Sequence, residues 1–283
     1  MKNSVRVLAL LATVALLLGG VGCDKLKARD QLNKGVQAFK NAKYEEAIEH
    51  FNQSVTLDPS LMTARLYLGT AYMQQYIPGA DTPENNRNAE LAIEEFKKVL
   101  AAGNATRENK LHGLKSIASL YYNMKNFDKS TDYYRQATEV DPNDPEIYYM
   151  MGVIDWADTY KTAAEVKAKI GLKVDDAFKP KGKEDLKTCQ QLSVTNGPKV
   201  TEGLDALDKA LKLRPEYEDA MAYMNLLYRR KADIECGNPQ AHAADIKMAD
   251  QWSDKTMAVR KEKAEKAQQQ PAGIVLDQPK DKQ

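Results

Sequence analysis

The stretch "KYEEAIEHFNQSVTLDP", residues 43–59, decides the fold. Small and aromatic side chains alternate in it at spacings of three and four residues: Tyr44, Ala47, Phe51 and Ser54. That spacing places them on one stripe of an α-helix, and the mixture of small and bulky groups suits close packing against a second helix. The closing Asp-Pro pair ends the helix, because proline cannot continue a helical pattern. The stretch therefore predicts the second helix of a helical hairpin.

The same pattern returns as "NFDKSTDYYRQATEVDP", residues 126–142. When the two stretches are aligned on their prolines, aromatic residues fall on aromatic residues and small residues fall on small ones. Twelve residues before Ala47 lies Gly35, and twelve before Ser130 lies Ala118, so a small residue is also available on each preceding helix. The recurrence predicts a repeated hairpin rather than one isolated amphipathic helix.

This arrangement resembles the tetratricopeptide repeat, a helical hairpin of about 34 residues with small residues at the crossing. The resemblance covers four and a half copies, and it implies an all-α fold, a right-handed α-solenoid of about 4–5 hairpins. The second copy carries an extra stretch, "IPGADTPENNRN" at residues 77–88, whose prolines, glycine and asparagines predict a loop. The fourth opens at Tyr148 and Gly152, but its second helix is recognisable only at residues 202–215.

An insertion of about residues 160–201 therefore interrupts the fourth unit. We expect it to extend the first helix and then to be irregular around "DDAFKPKGKED" and "TNGPK". The solenoid is expected over residues 30–267, with terminal helices that depart from the pattern because they cap the stack. Residues 268–283 are rich in Gln, Pro, Lys and Asp and predict a disordered tail.

The first 22 residues have the layout of a signal peptide. Two cations, Lys2 and Arg6, precede an apolar run at residues 7–18 that is too short to span a bilayer as a helix. The end of this segment resembles a bacterial lipobox, which implies acylation of Cys23 and a linker over residues 23–29. Gly20 departs from the aliphatic residue usual in that motif, so cleavage by ordinary signal peptidase, leaving a free thiol, is the alternative.

Charge and cysteine content narrow the possible partners. Lys plus Arg number 41 and Asp plus Glu number 40, so no strong global field attracts nucleic acid. With Cys23 acylated, Cys189 and Cys236 remain as an even pair in an oxidising compartment, which makes a disulfide between them possible. Two independent buried thiols are the alternative.

Motifs of enzymes are missing from the chain. It has no glycine-rich phosphate loop, no HExxH zinc motif and no GxSxG elbow. The three histidines fall in separate repeats, and Cys236 with His242 offers too few ligands for zinc. We therefore expect no catalytic residues, no metal and no cofactor, with an enzyme built on the insertion as the alternative.

The resemblance implies that the first helices of the hairpins line a concave groove. Carried onto this chain, the groove positions are mostly apolar and aromatic, which suits an amphipathic helix or an extended apolar peptide from a protein partner. They are Leu32, Val36, Phe39, Leu66, Thr70, Met73, Lys115, Ser119, Tyr122, Tyr149, Val153 and Trp156. Alternatively, the insertion or the tail covers this stripe and makes it part of the core.

One branch of the family clamps the terminal carboxylate of a partner with Lys and Asn. Those positions here hold Leu32, Val36, His112 and Ser116, so the clamp is absent. The sequence thus leads to the hypothesis of an exported scaffold, lipid-anchored in a bacterial cell envelope and facing the periplasm, that binds protein partners. The alternative is a soluble periplasmic module that binds an envelope polymer or glycan through Tyr and Trp.

Overall fold

The computed structural model describes residues 23–178 and 182–269. Ten helices and no β-strand occur in these ranges, so the expected all-α fold is confirmed. The predicted signal peptide, residues 1–22, and all but the first two residues of the predicted disordered tail lie outside the described residues. The helices are α1 (23–40), α2 (Tyr44–Leu57), α3 (Met62–Gln75), α4 (Pro83–Ala101), α5 (Arg107–Asn123), α6 (Phe127–Val140), α7 (Pro145–Lys169), α8 (Lys183–Leu213), α9 (Glu218–Asp233) and α10 (Pro239–Gln269).

The helices form antiparallel hairpins in two compact units. Unit 1 ends at Asn143 and contains the hairpins α1/α2, α3/α4 and α5/α6. Unit 2 begins at Asp144 and contains α7/α8 and α9/α10. Within each unit the second helix of one hairpin also packs on the first helix of the next, as in α2 with α3 and α8 with α9. This is the stacked-hairpin architecture that the repeat predicts.

Small residues let the two helices of a hairpin approach closely. A Cβ atom on Gly35 of α1 would lie 2.5 Å from Cε1 of Phe51 on α2. A Cβ atom on Gly152 of α7 would lie 2.5 Å from Cγ of Leu207 on α8. Such distances are below van der Waals contact, so only glycine fits at these crossings.

Buried hydroxyl groups tie the hairpins of unit 1 together. The Ser54 Oγ donates a hydrogen bond of 2.7 Å to the carbonyl of Ala28, and the Ser130 Oγ donates one of 2.7 Å to the carbonyl of Ala118. Both serines are fully buried. They therefore satisfy their own hydroxyls while adding a directional contact to the apolar packing.

The chain at residues 23–29 is helical, which corrects the expectation of a linker there. Ala28 is fully buried, and its carbonyl is the one that Ser54 binds. The first hairpin therefore already includes residue 28. Across the described ranges, no helix is both long enough and apolar enough to cross a membrane.

The extra stretch of the second hairpin is shorter as a loop than predicted. Helix α4 begins at Pro83, where the Thr82 side chain accepts a hydrogen bond from the Asn85 backbone N–H, so only residues 76–82 are irregular. The buried Asn85 amide then orders that loop, accepting from the Ile77 backbone N–H at 2.7 Å and donating to the Ala80 carbonyl at 2.6 Å. Asn85 and Asn86 thus lie within α4, and their side chains bind the loop that precedes the helix.

The predicted insertion in the fourth repeat, about residues 160–201, is also mostly helical. Helix α7 continues to Lys169 and α8 begins at Lys183, so the predicted irregularity around "TNGPK" is wrong although Pro198 lies there. Tertiary contacts override the proline: Leu192 and Val200 are each 1% exposed, and the Asn196 side chain donates to the Thr159 carbonyl at 3.0 Å. Burial on both sides of Pro198 thus keeps α8 in place despite one lost backbone donor.

Buried charges fasten the loop between α7 and α8. The Lys167 Nζ, fully buried, donates to the carbonyls of Val174 and Asp176 at 2.8 Å each and to the Asp233 carboxylate at 2.7 Å. Burial lowers the pKa of Lys167 and raises the pKa of Asp233, and the attraction between them opposes both shifts. Arg230 adds a second cation 3.2 Å from the same carboxylate. The cost of burying these charges is therefore only partly offset by their pairing.

A disulfide lies beside this cluster. It joins Cys189 on α8 to Cys236, just after α9, with their Cα atoms 5.7 Å apart. Cys189 is buried and the bond spans a sequence separation of 47 residues. The extended end of α8 is thus covalently attached to the turn of the last hairpin.

Candidate partner-binding faces

First helices of successive hairpins lie side by side within each unit. In unit 1 α3 contacts α5, and in unit 2 α7 contacts α9. Because the second helices pack behind them, the first helices form one face of each unit. These are the faces on which the predicted groove residues fall.

The face of unit 1 carries half-buried apolar side chains. Leu32, Val36 and Phe39 on α1 pack against the core that includes Phe51, and they keep part of their surface exposed. Further along the unit, Met73 and Tyr122 are also half-buried.

Two predicted groove residues belong instead to the core. Leu66 is 7% exposed and packs within the α3–α5 core cluster, and Val153 is 4% exposed. Neither leaves enough surface for a partner to contact, so the predicted groove loses these two positions. A spacing of three and four residues predicts which side chains share a helix face. It does not predict which of them are buried in the core and which stay exposed.

The face of unit 2 carries a continuous row of five half-buried rings, which we name the aromatic ladder: Tyr217, Tyr149, Tyr223, Trp156 and Tyr160. The Tyr149 ring centroid lies 4.9 Å from that of Tyr217 and 5.7 Å from that of Tyr223, the latter edge to face. Trp156 meets Tyr223 edge to face at 5.4 Å and stacks at a tilt on Tyr160 at 5.2 Å. These are the favoured distances for aromatic pairs, so the rings hold one another in place.

A cation lies at each end of the aromatic ladder. The Arg214 guanidinium is 4.4 Å from the centre of the Tyr217 ring, and that of Arg230 is 5.5 Å from the centre of Tyr160. Burial raises the pKa of Tyr217 to about 12, although the positive charge of Arg214 opposes the shift. The Tyr217 phenol is therefore neutral at ordinary pH. Arg214 is exposed at its end of the ladder, whereas Arg230 is buried and paired with Asp233.

Helix α7 packs against α9, and the Tyr149 and Trp156 rings of α7 stay half-buried. The predicted Tyr149 and Trp156 are joined in the ladder by Tyr217 and Tyr223, which fall outside the predicted groove positions. The sequence does contain both residues close together: Tyr217 directly precedes α9, and Tyr223 lies on that helix. They were missed because the last hairpin departs from the repeat pattern.

Within residues 23–178 and 182–269, no three His, Cys, Asp or Glu side chains are grouped so as to hold a metal ion. One histidine has a local structural contact: the His50 ring lies 2.7 Å from the Gln31 side-chain oxygen.

Comparison with protein-family models identifies the repeat. The tetratricopeptide repeat matches at residues 32–106 and again at residues 116–144. The chain contains tetratricopeptide repeats. These matches support a protein–protein interaction scaffold as the general class of function.

Similar proteins and structures agree with this fold. The chain is 29% identical over 124 residues to the Hsp70-Hsp90 organizing protein of Triticum aestivum, and 28% identical over 127 residues to the Hsp70-Hsp90 organizing protein 1 of Glycine max. Each alignment covers 44% of this chain and 19% of the relative, so the chain spans about a fifth of the length of these relatives.

Solved structures of MamA resemble the chain over most of its length. One covers 84% of this chain and 94% of its own, with a TM-score of 0.55 and 14% identity. MamA from Desulfovibrio magneticus RS-1 covers 83% and 96%, with a TM-score of 0.54 and 16% identity. At these identities the likeness concerns the fold of stacked helical hairpins.

Proposed function

We propose that this chain is an exported, lipid-anchored scaffold of the bacterial cell envelope that binds a protein partner through the aromatic ladder of unit 2. The signal-peptide layout and lipobox-like end of residues 1–23 support export and acylation at Cys23. The partner is a peptide segment or helix rather than a nucleic acid, since the chain has nearly balanced charge.

The aromatic ladder is the observation that carries the choice of site. Its five rings fix one another through contacts of 4.9 to 5.7 Å, so little side-chain entropy remains to be lost on binding. Trp and Tyr are also the residues that most often dominate binding energy at protein interfaces. The faces of these rings suit apolar or proline side chains, and the exposed Arg214 suits an acidic group at one end of the same segment.

Site-specific photo-crosslinking in envelope membranes tests the site. A photoreactive phenylalanine analogue replaces Tyr149 in the ladder, and a second variant carries it at Met257, a 65% exposed residue on α10, as the matched control. We expect a discrete crosslinked partner from position 149 and none from position 257. Equal capture at both positions would show that the ladder is not the site.

Alanine substitutions measure what the two rings contribute to partner binding. Tyr149→Ala with Trp156→Ala should lose the crosslinked partner, and Met257→Ala should retain it. Because both ladder residues pack on the core of unit 2, the helix content and unfolding midpoint of each variant must first be compared with the wild type. Retention of the partner by a folded double variant would contradict the proposal.

The anchor is tested separately, by membrane fractionation. Wild-type protein should sediment with membranes and carry acyl groups by mass spectrometry, and Cys23→Ala should not. A wild type that is fully soluble would remove the anchor and leave the scaffold function to be judged on the crosslinks alone.

A second candidate function is a soluble periplasmic module that binds an envelope polymer or glycan. The same row of Tyr and Trp rings favours it, because aromatic faces stack on sugar rings. Co-sedimentation with purified peptidoglycan separates the two candidates. Binding to the polymer that depends on Tyr149 and Trp156, without a protein crosslink, would favour this second candidate.

A further inference from the structure

The beginning of α1 offers a second contact with the membrane, beyond the acyl chains. The described part of α1 is helical from residue 23, the predicted acylation site, and the same helix is locked into the first hairpin at Ala28. Five residues of helix span about 7.5 Å, whereas five residues of extended linker would reach about 17 Å and be free to reorient. With Cys23 acylated, the first hairpin therefore lies within about one helix diameter of the lipid headgroups.

The side chains near that end suit a lipid surface. Leu26 is 71% exposed, and the exposed cations Lys25, Lys27 and Arg29 surround it. Lys27 is paired with Asp24 at 3.5 Å. Lys25 and Arg29 have no ion-pair partner among residues 23–178 and 182–269, which leaves their charges available.

The same face of α1 changes character further from Cys23. Residues three to four apart continue the exposed stripe from Leu26 through Asp30 and Asn33 to Gln37. Asp30 is paired with Lys34 at 2.7 Å, and Asn33 and Gln37 are polar and exposed. The exposed apolar side chain of this stripe thus lies at the end nearest the predicted anchor, where Lys25 and Arg29 flank it.

We infer that residues 25–29 of α1 rest on an anionic lipid surface, with Leu26 inserted at the headgroup boundary and Lys25 and Arg29 bound to lipid phosphates. This inference rests on the lipid anchor of the proposed function. An apolar side chain flanked by cations is the pattern that binds membrane interfaces, and the anchor supplies the proximity that so small a patch lacks by itself. The consequence is a first hairpin held at a fixed angle to the membrane instead of swinging on a tether.

Depth-dependent fluorescence quenching of the acylated full chain tests this contact. The chain is reconstituted into phosphatidylglycerol–phosphatidylcholine vesicles and labelled with an environment-sensitive dye at Leu26→Cys. The matched control is Gln37→Cys, which lies on the same exposed stripe about 16 Å further along the helix. Cys189 and Cys236 do not react with the dye because they are bonded to each other.

Spin-labelled headgroups should quench the dye at position 26 at least twofold more than at position 37. Arg29→Glu should reduce the quenching at position 26, and Lys40→Glu, an exposed cation at the far end of α1, should not. Equal quenching at positions 26 and 37 in acylated, vesicle-bound protein would overturn this inference and leave the anchor intact. A wild type that carries no acyl group and does not bind vesicles would overturn both.

Discussion

Helices α2 to α6 of unit 1 are 14 to 19 residues long, whereas α8 and α10 of unit 2 each have 31 residues. The short hairpins of unit 1 are stabilised where their helices cross, by pairs such as Gly35 with Phe51. Unit 2 has the same kind of crossing, at Gly152 and Leu207, but α7 and α8 continue well past it.

Beyond that crossing, unit 2 uses contacts of a different kind. The buried Lys167 binds the α7–α8 loop and α9 together, and the Cys189–Cys236 disulfide joins α8 to the turn after α9. The comparison shows that the repeat residues stabilise a hairpin only over its own length. An insertion that lengthens a hairpin requires polar and covalent contacts of its own.

The largest loss of stability should follow from Lys167→Met. Removing one partner of a buried ion pair leaves the Asp233 carboxylate less well compensated, which costs about 3–5 kcal/mol. Both tryptophans, Trp156 and Trp252, lie in unit 2, so denaturant unfolding followed by tryptophan fluorescence reports this unit.

The control is Lys212→Met on α8, where an exposed lysine pairs with Asp208. An exposed pair contributes little because water screens it, so this variant should change the free energy of unfolding far less than Lys167→Met. Similar losses from the two substitutions would mean that the Lys167 cluster does not stabilise unit 2.

Removing the disulfide should have the next largest effect. Cys189→Ser with Cys236→Ser frees a loop of 47 residues, which should cost about 2–4 kcal/mol. Hydrogen exchange should accelerate at residues 183–200 and 234–239 and stay unchanged in α2 and α4 of unit 1. Faster exchange throughout both units would show that the bond supports more than the insertion.

The parts of the fold that follow the repeat could be predicted from local pattern. Gly35, Phe51 and Ser54 occur at positions where the hairpin geometry requires their sizes, so the sequence alone leads to stacked hairpins. The insertion could not be read in this way. Proline at residue 198 argues against a helix, and only the burial of Leu192 and Val200 by distant parts of unit 2 overrides it.

The candidate site, like the fold, could be predicted only where it follows the repeat pattern. Tyr149 and Trp156 fall at repeat positions and lie on the face that α7 and α9 form in unit 2. Their partners Tyr217 and Tyr223 belong to a hairpin without the repeat pattern. The charges around Lys167 were unpredictable for another reason. Its partner Asp233 is 66 residues away, and nothing local distinguishes a buried lysine from a solvated one.

Alanine substitutions at the two crossings compare the units directly. Gly35→Ala and Gly152→Ala should each cost about 1–3 kcal/mol, because the added methyl group overlaps the facing side chain. Gly152→Ala should cost more, since its Cβ atom would also lie 3.2 Å from the carbonyl oxygen of Gly203, a backbone atom that cannot change rotamer.

Gly103→Ala is the matched control for both variants, because no atom other than those of Gly103 and its two chain neighbours lies within 4 Å of the position its Cβ would take. Circular dichroism measures all three, and tryptophan fluorescence isolates the effect in unit 2. If Gly35→Ala and Gly152→Ala cost no more than Gly103→Ala, then close approach at the crossings is not what stabilises either unit.

The smallest expected effect is an alkaline one, confined to unit 2. The pKa of Tyr217 is raised from its ordinary value of 10.0 to about 12 by burial, so the folded state keeps the phenol proton over a range where the unfolded state loses it. The contribution to stability is complete below pH 10 and is lost as the pH rises toward about 12. Tyr217→Phe removes this titration, so the fluorescence-monitored stability of that variant should fall less steeply between these pH values than that of the wild type. Tyr67→Phe on α3 of unit 1 should leave the slope in unit 2 unchanged, and equal slopes in all three proteins would contradict the assignment.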